Sequence, residues 1–363
     1  MARATRSAPP ISAVTRSGGP ARLPPQASGD PVSPFMELSR ISLVRMLART
    51  GSRKWETSLP WLQFMQAELI AEIPSRDTFA RASRGWFTSV LHEIFPSLNE
   101  GLRERPVTRE KPRPKQDLDA PWGQPNHVLG TLWTFRKNPA LGGREVVYSE
   151  ATWQRFLKAL DDYPFAVIFQ INELDGRGFP VHRGESSIAV KRDFDHPDWV
   201  RFTFTAHAAD TGWPESAPIQ DRWVAFVRGQ VAEVNACAGG MTDDIGPGQT
   251  ALERMTMNLS AGIADSRRVL RGYTWVTVLA EQLSERLGGE GALRASGAFR
   301  DVETLPNGSV WLRATPTINE FTNDKIRKVF DTLAPVLLTG LAISRFAAES
   351  YRAVEDVDAS EYQ

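Results

Sequence analysis

An α+β fold, with an antiparallel sheet flanked by helices, is predicted by three features of this sequence. Apolar stripes at helical spacing alternate along the chain with short strand-like runs. Trp199 to Thr205 sets Val200, Phe202 and Phe204 against Arg201, Thr203 and Thr205, the period of two that an antiparallel strand needs when one face is wet. Phe299 to Leu305 and Ser309 to Thr315 flank Pro306, Asn307 and Gly308, residues that tolerate the backbone angles of a hairpin turn.

Taken in order, residues 1–35 carry prolines at 9, 10, 20, 24, 25, 31 and 34 among Gly, Ser and Arg, which predicts a disordered tail. Met36 is as good a translation start as Met1. Residues 36–102 read as a small N-terminal helical region, with stripes Leu38, Ile41, Leu43, Leu47, then Trp61, Phe64, Met65, Leu69, Ile73, then Trp86, Phe87, Val90, Leu91, Phe95. Pro74 and Pro96 end the second and third helices. Residues 103–125, rich in Pro, Lys and Arg, read as a linker and a domain boundary. Residues 126–345 then form the α+β domain.

Within that domain Ser149 caps a helix that buries Trp153, Phe156, Leu157 and Leu160. Phe165 to Ile171 and Ser187 to Lys191 are strands, and Pro218 opens a helix carrying Ile219, Trp223, Phe226 and Val227 on one side. Tyr273 to Leu279 is a strand. Short helices follow at 281–287 and 291–296, then the hairpin, then a helix 324–337 with Ile326, Val329, Phe330, Leu333 and Leu337 inward. The order helix, strands, helix occurs in both 149–235 and 281–337 and suggests two similar layers. Residues 346–363 form an acidic C-terminal tail expected to fray.

The 363 residues are 41% hydrophobic and 24% charged, the make-up of a chain that folds, and 43 basic residues balance 43 acidic ones. No global field draws the chain to nucleic acid or an anionic membrane. Cys237 is the only cysteine, which excludes an internal disulfide and a cysteine-based zinc site and points to a reducing cytoplasm. No apolar run reaches the ~18 residues of a membrane span, so a soluble chain is expected.

Phosphate loops, dinucleotide fingerprints and nucleophile elbows are absent, and no cofactor is implied. The nearest approach to catalytic chemistry is His182, His196 and His207 with Asp193, Asp195 and Asp198, side chains able to hold a metal or move protons. The competing account is turn chemistry, because Asp193 to Asp198 joins two strands and Asp carboxylates bond local amides. His92-Glu93 begins like a zincin helix but has no second histidine three residues on. Asp243-Asp244 suits a solvated loop, with too few oxygens for calcium. No cation lies beside Cys237 in sequence, so it reads as a small buried apolar residue. Arg103, Arg105, Arg109, Lys111, Arg113 and Lys115 make the one basic run; no aromatics interleave to stack on bases, which disfavours nucleic acid.

Six short words carry a family resemblance between about 127 and 340: Asp221-Arg222-Trp223, Thr250-Ala251-Leu252-Glu253, Arg271-Gly272-Tyr273-Thr274-Trp275-Val276-Thr277-Val278, Leu287-Gly288-Gly289, Leu312-Arg313-Ala314-Thr315 and Ala334-Pro335-Val336-Leu337. On these the chain resembles a bacterial family of unknown molecular activity grouped with type VI secretion and polymorphic-toxin immunity proteins. The family has no established catalytic residues. The resemblance implies a non-enzymatic protein that binds and neutralises a cognate toxin, and leaves the oligomeric state open. Trp122, Trp133 and Trp213, in or near connections, are the candidate anchors for such a partner. A hydrolase or metal-dependent enzyme centred on His182, His196, His207, Asp193 and Asp195 is the alternative.

Overall fold

The computed structural model describes residues 64–108, 120–136, 142–181, 186–244, 249–343 and 352–363. The chain divides into two units, 1–49 and 50–363, and every described residue belongs to the second. The expected tail 1–35, the helical stripe 38–47 and most of the basic run lie outside the described residues.

β1 (Phe64–Glu72) is a strand where the sequence predicts a helix. Met65, Leu69 and Ile73 are four apart, a spacing that satisfies both a helical face and a strand face. What decides is pairing: β1 lies between β6 (Trp199–His207) and β7 (Ala238–Thr242), antiparallel to both. Met65, Ala67, Leu69 and Ala71 are fully buried on one face, and Gln66, Glu68 and Ile70 point to the other. β1, in the segment before residue 103, is therefore a strand inside the sheet.

Helix α1 (Arg76–Glu93), capped by Ser75, buries Trp86, Phe87, Val90 and Leu91 as the stripe predicts. Pro96 both ends that helical path and opens α2 (Pro96–Glu104) at its first turn. β2 (Val128–Phe135) and β3 (Arg144–Val147) pair with each other, and β2 also pairs with β4 (Ala166–Glu173). Between them Ser149 caps α3 (Glu150–Ala159), whose Trp153 and Phe156 are buried. β5 (Ser186–Arg192) joins β4 to β6. α4 (Ala208–Thr211) follows β6, and α5 (Ala217–Glu233) starts at the Ser216 cap with Pro218 in its first turn.

After β7 come α6 (Ala251–Thr256), β8 (Val276–Leu279), α7 (Glu281–Arg286) and α8 (Gly289–Ala295). The hairpin forms as predicted from β9 (Asp301–Thr304) and β10 (Val310–Arg313), with Gly308 at φ 82°, a left-handed angle glycine adopts without a Cβ clash. α9 (Asn323–Leu333) buries Ile326, Val329, Phe330 and Leu333, and Pro335 lies in a 3-10 turn beyond it.

The ten strands make one antiparallel sheet in the order β3-β2-β4-β5-β6-β1-β7-β8-β10-β9. The two helix-strand-helix segments are thus side-by-side parts of one sheet and not stacked layers. On the first face α1, α2, α3 and α5 meet β2–β6 and β1, with Trp86 against Phe202 and Phe204, Trp223 against Phe204, and Trp153 against Phe169. On the second face α8 touches β9, and Glu290 accepts from Thr304. The C-terminal segment is docked, contrary to the expected fraying. Arg352 binds Asp243, Ala359 is 1% exposed, and the Tyr362 ring meets Phe330 edge-on at 5.6 Å. Buried contacts outweigh the acidic composition there.

Candidate binding cleft

Gln66, Glu68 and Ile70 of β1 and Gly240 and Thr242 of β7 floor a cleft of about 70 Å³ on the second face. Its walls are α6 with the residues before it and the segment 266–274. A Cβ at Gly240 would stand 2.5 Å from the Val276 carbonyl oxygen, so no side chain can occupy the place beside Glu68.

The cleft is lined with paired charge. Arg271, 6% exposed, donates through Nε to Glu253 Oε1 at 2.8 Å and through Nη2 to Glu253 Oε2 at 3.2 Å. Its Nη1 lies 3.7 Å from Glu68 Oε1, and Arg201 Nε lies 3.2 Å from the other Glu68 oxygen. Burial pulls the Arg271 pKa down, but Glu68 and Glu253 more than offset it and the pKa is raised. At Arg201 burial wins over Glu68 and the pKa is lowered. The Thr250 backbone N–H donates to Glu253 Oε2 at 2.7 Å and the Thr250 hydroxyl donates to the Arg271 carbonyl at 2.8 Å, so one capping box fixes both members of the pair.

Two buried donor atoms on residues that line this cleft, Arg271 Nη1 and Arg254 Nε, make no hydrogen bond among the described residues. Asp244 is also in the lining. Burial, with Asp243 beside it, raises its pKa to about 6, although Thr242 Oγ1 at 3.0 Å and the Arg352 amide at 2.9 Å donate to it. Asp243 in turn accepts both Arg352 nitrogens, at 2.5 and 2.7 Å.

Beyond the end of α6 is an apolar surface. Met257, Leu259, Leu341 and Ile343 are 60%, 55%, 48% and 39% exposed, four of the six large apolar side chains so exposed among the described residues. They are brought together because Ile343 donates its amide to Met255 and Asn258 donates its side-chain amide to the Thr339 carbonyl. Met257 ends α6 in the left-handed region at φ 53°.

The residues singled out from sequence lie elsewhere. His196 is exposed in a turn where its own amide and that of Asp195 both donate to Asp193 Oδ1 at 3.0 Å. His207 is fully buried at the far end of β6, about 26 Å from the first residue of that strand at the usual rise. His182 lies outside the described residues. The structure therefore does not bring His196 and His207 together, and no group of three metal-ligating side chains occurs among the described residues. Trp133 and Trp213 are 7% and 2% exposed, so their surface is used within the chain. Trp133 donates to Gln170 at 2.9 Å. Trp122 is half-buried against Val107, Leu129, Val147 and Leu174. Burial raises the Cys237 thiol to about 11, leaving it unreactive at neutral pH. Arg105, from the basic run, donates to the Asn126 carbonyl at 2.8 Å.

Glu68, Arg201 and Arg254 were missed by sequence reasoning, because single charges on a strand or short helix look like solvated positions. Glu253 and Arg271 were in view as resemblance words. Those words meet in space a second time: Arg313 Nη2 lies 2.6 Å from Asp221 Oδ1, and the Arg313 guanidinium lies 5.3 Å from the centre of the Trp275 ring.

No family model matches the chain, and no curated protein matches it. A solved structure, the Pseudomonas aeruginosa T6SS protein PA0821, is similar over 89% of this chain and 90% of that one, at 12% identity and a TM-score of 0.43. A likeness of that strength carries no weight for function. No helix among the described residues is long and apolar enough to cross a membrane.

Proposed function

We propose that the chain acts by binding, as an immunity-type protein that docks on a cognate protein toxin. The observation that carries this reading is the apolar surface of Met257, Leu259, Leu341 and Ile343. Clustered exposed apolar side chains cost solubility and mark protein interfaces more often than chance. Their position beside a polar cleft supplies the mixed apolar and charged surface on which a few anchors hold a partner. The resemblance to immunity proteins supplies the partner class. These four residues replace the buried Trp133 and Trp213 as candidate anchors.

The test is co-expression with each toxin candidate from the same genome, the one that the chain neutralises being its effector. The wild-type chain should restore growth and co-elute with the effector, and the double variant M257D/L259D should do neither while keeping its melting temperature. Growth rescue by the double variant, or no complex between the purified proteins, would overturn the reading.

A further inference from the structure

We propose that the cleft between β1, β7 and α6 is a receptor for a single carboxylate group. Arg271 Nη1 and Arg254 Nε are buried nitrogens of residues that line the cleft, and they make no hydrogen bond among the described residues. Leaving charged donors so is expensive, since a buried unpaired donor gives up its hydration and receives no bond in exchange. Glu68 Oε1, at 3.7 Å from Arg271 Nη1, neutralises charge without filling the hydrogen-bonding position. An acceptor from outside the chain would fill it.

The chemistry of that acceptor follows from the lining. Two donors suit the two oxygens of one carboxylate. Arg254, Arg271, Glu68 and Asp244 are the charged residues of the lining, and behind it Arg201 and Glu253 pair with Glu68 and Arg271. Three guanidinium groups against three carboxylates leave no surplus positive charge, so each added negative charge is opposed and a phosphate dianion more than a monoanion. The volume of about 70 Å³ has room for a carboxylate and a short stem.

On the protein-binding reading, on which this source rests, the carboxylate belongs to an acidic side chain of the partner, seated while the apolar surface beyond α6 packs around it. The same chemistry could come from a free small anion. N-acetylglutamate α-amide, N-acetylglutamine α-amide and inorganic phosphate, titrated separately into the full isotope-labelled chain and followed by amide NMR shifts, distinguish these sources. The glutamate probe should bind saturably and move the Gly240, Arg254 and Arg271 signals; the glutamine probe should not. Arg254→Gln should weaken binding at least tenfold, and Arg254→Lys, which keeps the charge, should fall between. Should R254Q not fold, the lysine variant and the loss of binding between 50 and 500 mM salt, an effect of about tenfold for a screened charge contact, serve in its place. Saturation by phosphate alone would overturn the partner-side-chain source, and no saturable shift with any probe would overturn the site. Neither outcome touches the growth-rescue test, which needs the partner and not the probe.

Discussion

Arg271 has both charge partners supplied by different elements, Glu253 on α6 and Glu68 on β1, and all three are largely removed from water. A buried pair is costly to assemble and far costlier to halve. Arg271→Met should therefore lower stability in urea by roughly 3–5 kcal/mol, because Glu253 is left charged and uncompensated. Adding Glu253→Gln, which keeps the acceptor for the Thr250 amide, should recover much of the loss. Asp244 gives a second test. Its pKa rises from 3.8 to about 6 on folding, so the folded state holds the proton more tightly. Stability is then complete below about pH 4 and declines as pH rises through 6, by about 1–2 kcal/mol once partial exposure is allowed for. Asp244→Asn should melt higher than wild type at pH 8 and equally at pH 4. Neither role was legible in the sequence. Glu253 and Arg271 are 18 residues apart, with the turn at 257–266 between them, and no local spacing pairs them. Asp244 looks like loop chemistry until Arg352 closes over it from the far end of the chain.

At the scale of elements, legibility followed the competition between local pattern and long-range pairing. α3, α5, α9 and the β9–β10 hairpin were readable because cap, stripe or turn residues stand next to each other and agree. β1 was misread because its four-residue spacing fits two periods, and only its neighbours β6 and β7 decide between them. β7 was invisible: Ala238-Gly239-Gly240-Met241-Thr242 has no strand propensity, and it is held in place by pairing on both edges. The C-terminal segment was misread for a related reason, since its acidic composition hides Arg352. That guanidinium binds both oxygens of Asp243 and donates to the Phe321 carbonyl at 2.7 Å. Arg352→Ala should lower the urea midpoint by the equivalent of roughly 2–3 kcal/mol, the loss expected when a part-buried bidentate pair is broken and its acid remains. A change below 0.5 kcal/mol would mean that the segment adds nothing to the fold.

For the whole molecule, one continuous sheet means that a defect in any central strand is felt across it, whereas a change in an outward apolar residue is not. Trp213 and Met257 make the comparison. Trp213 is 2% exposed in the 3-10 turn before α5, so Trp213→Ala should cost ~3–5 kcal/mol of stability by opening a cavity. Met257 is 60% exposed, and Met257→Ala should leave the melting temperature within about a degree of wild type. Partner binding should reverse the ranking. If the surface of Met257, Leu259, Leu341 and Ile343 carries the anchors, truncating the most central of them should weaken the complex by roughly 2 kcal/mol, about thirtyfold in Kd. Trp213→Ala should affect binding only through the fraction of folded chain, and so should match wild type once Kd is corrected for that fraction. Calorimetric titration of the effector into each alanine variant, with melting curves on the same preparations, separates the two. Equal Kd for wild type and all four surface variants would move the interface off this surface, whatever the growth assay reports.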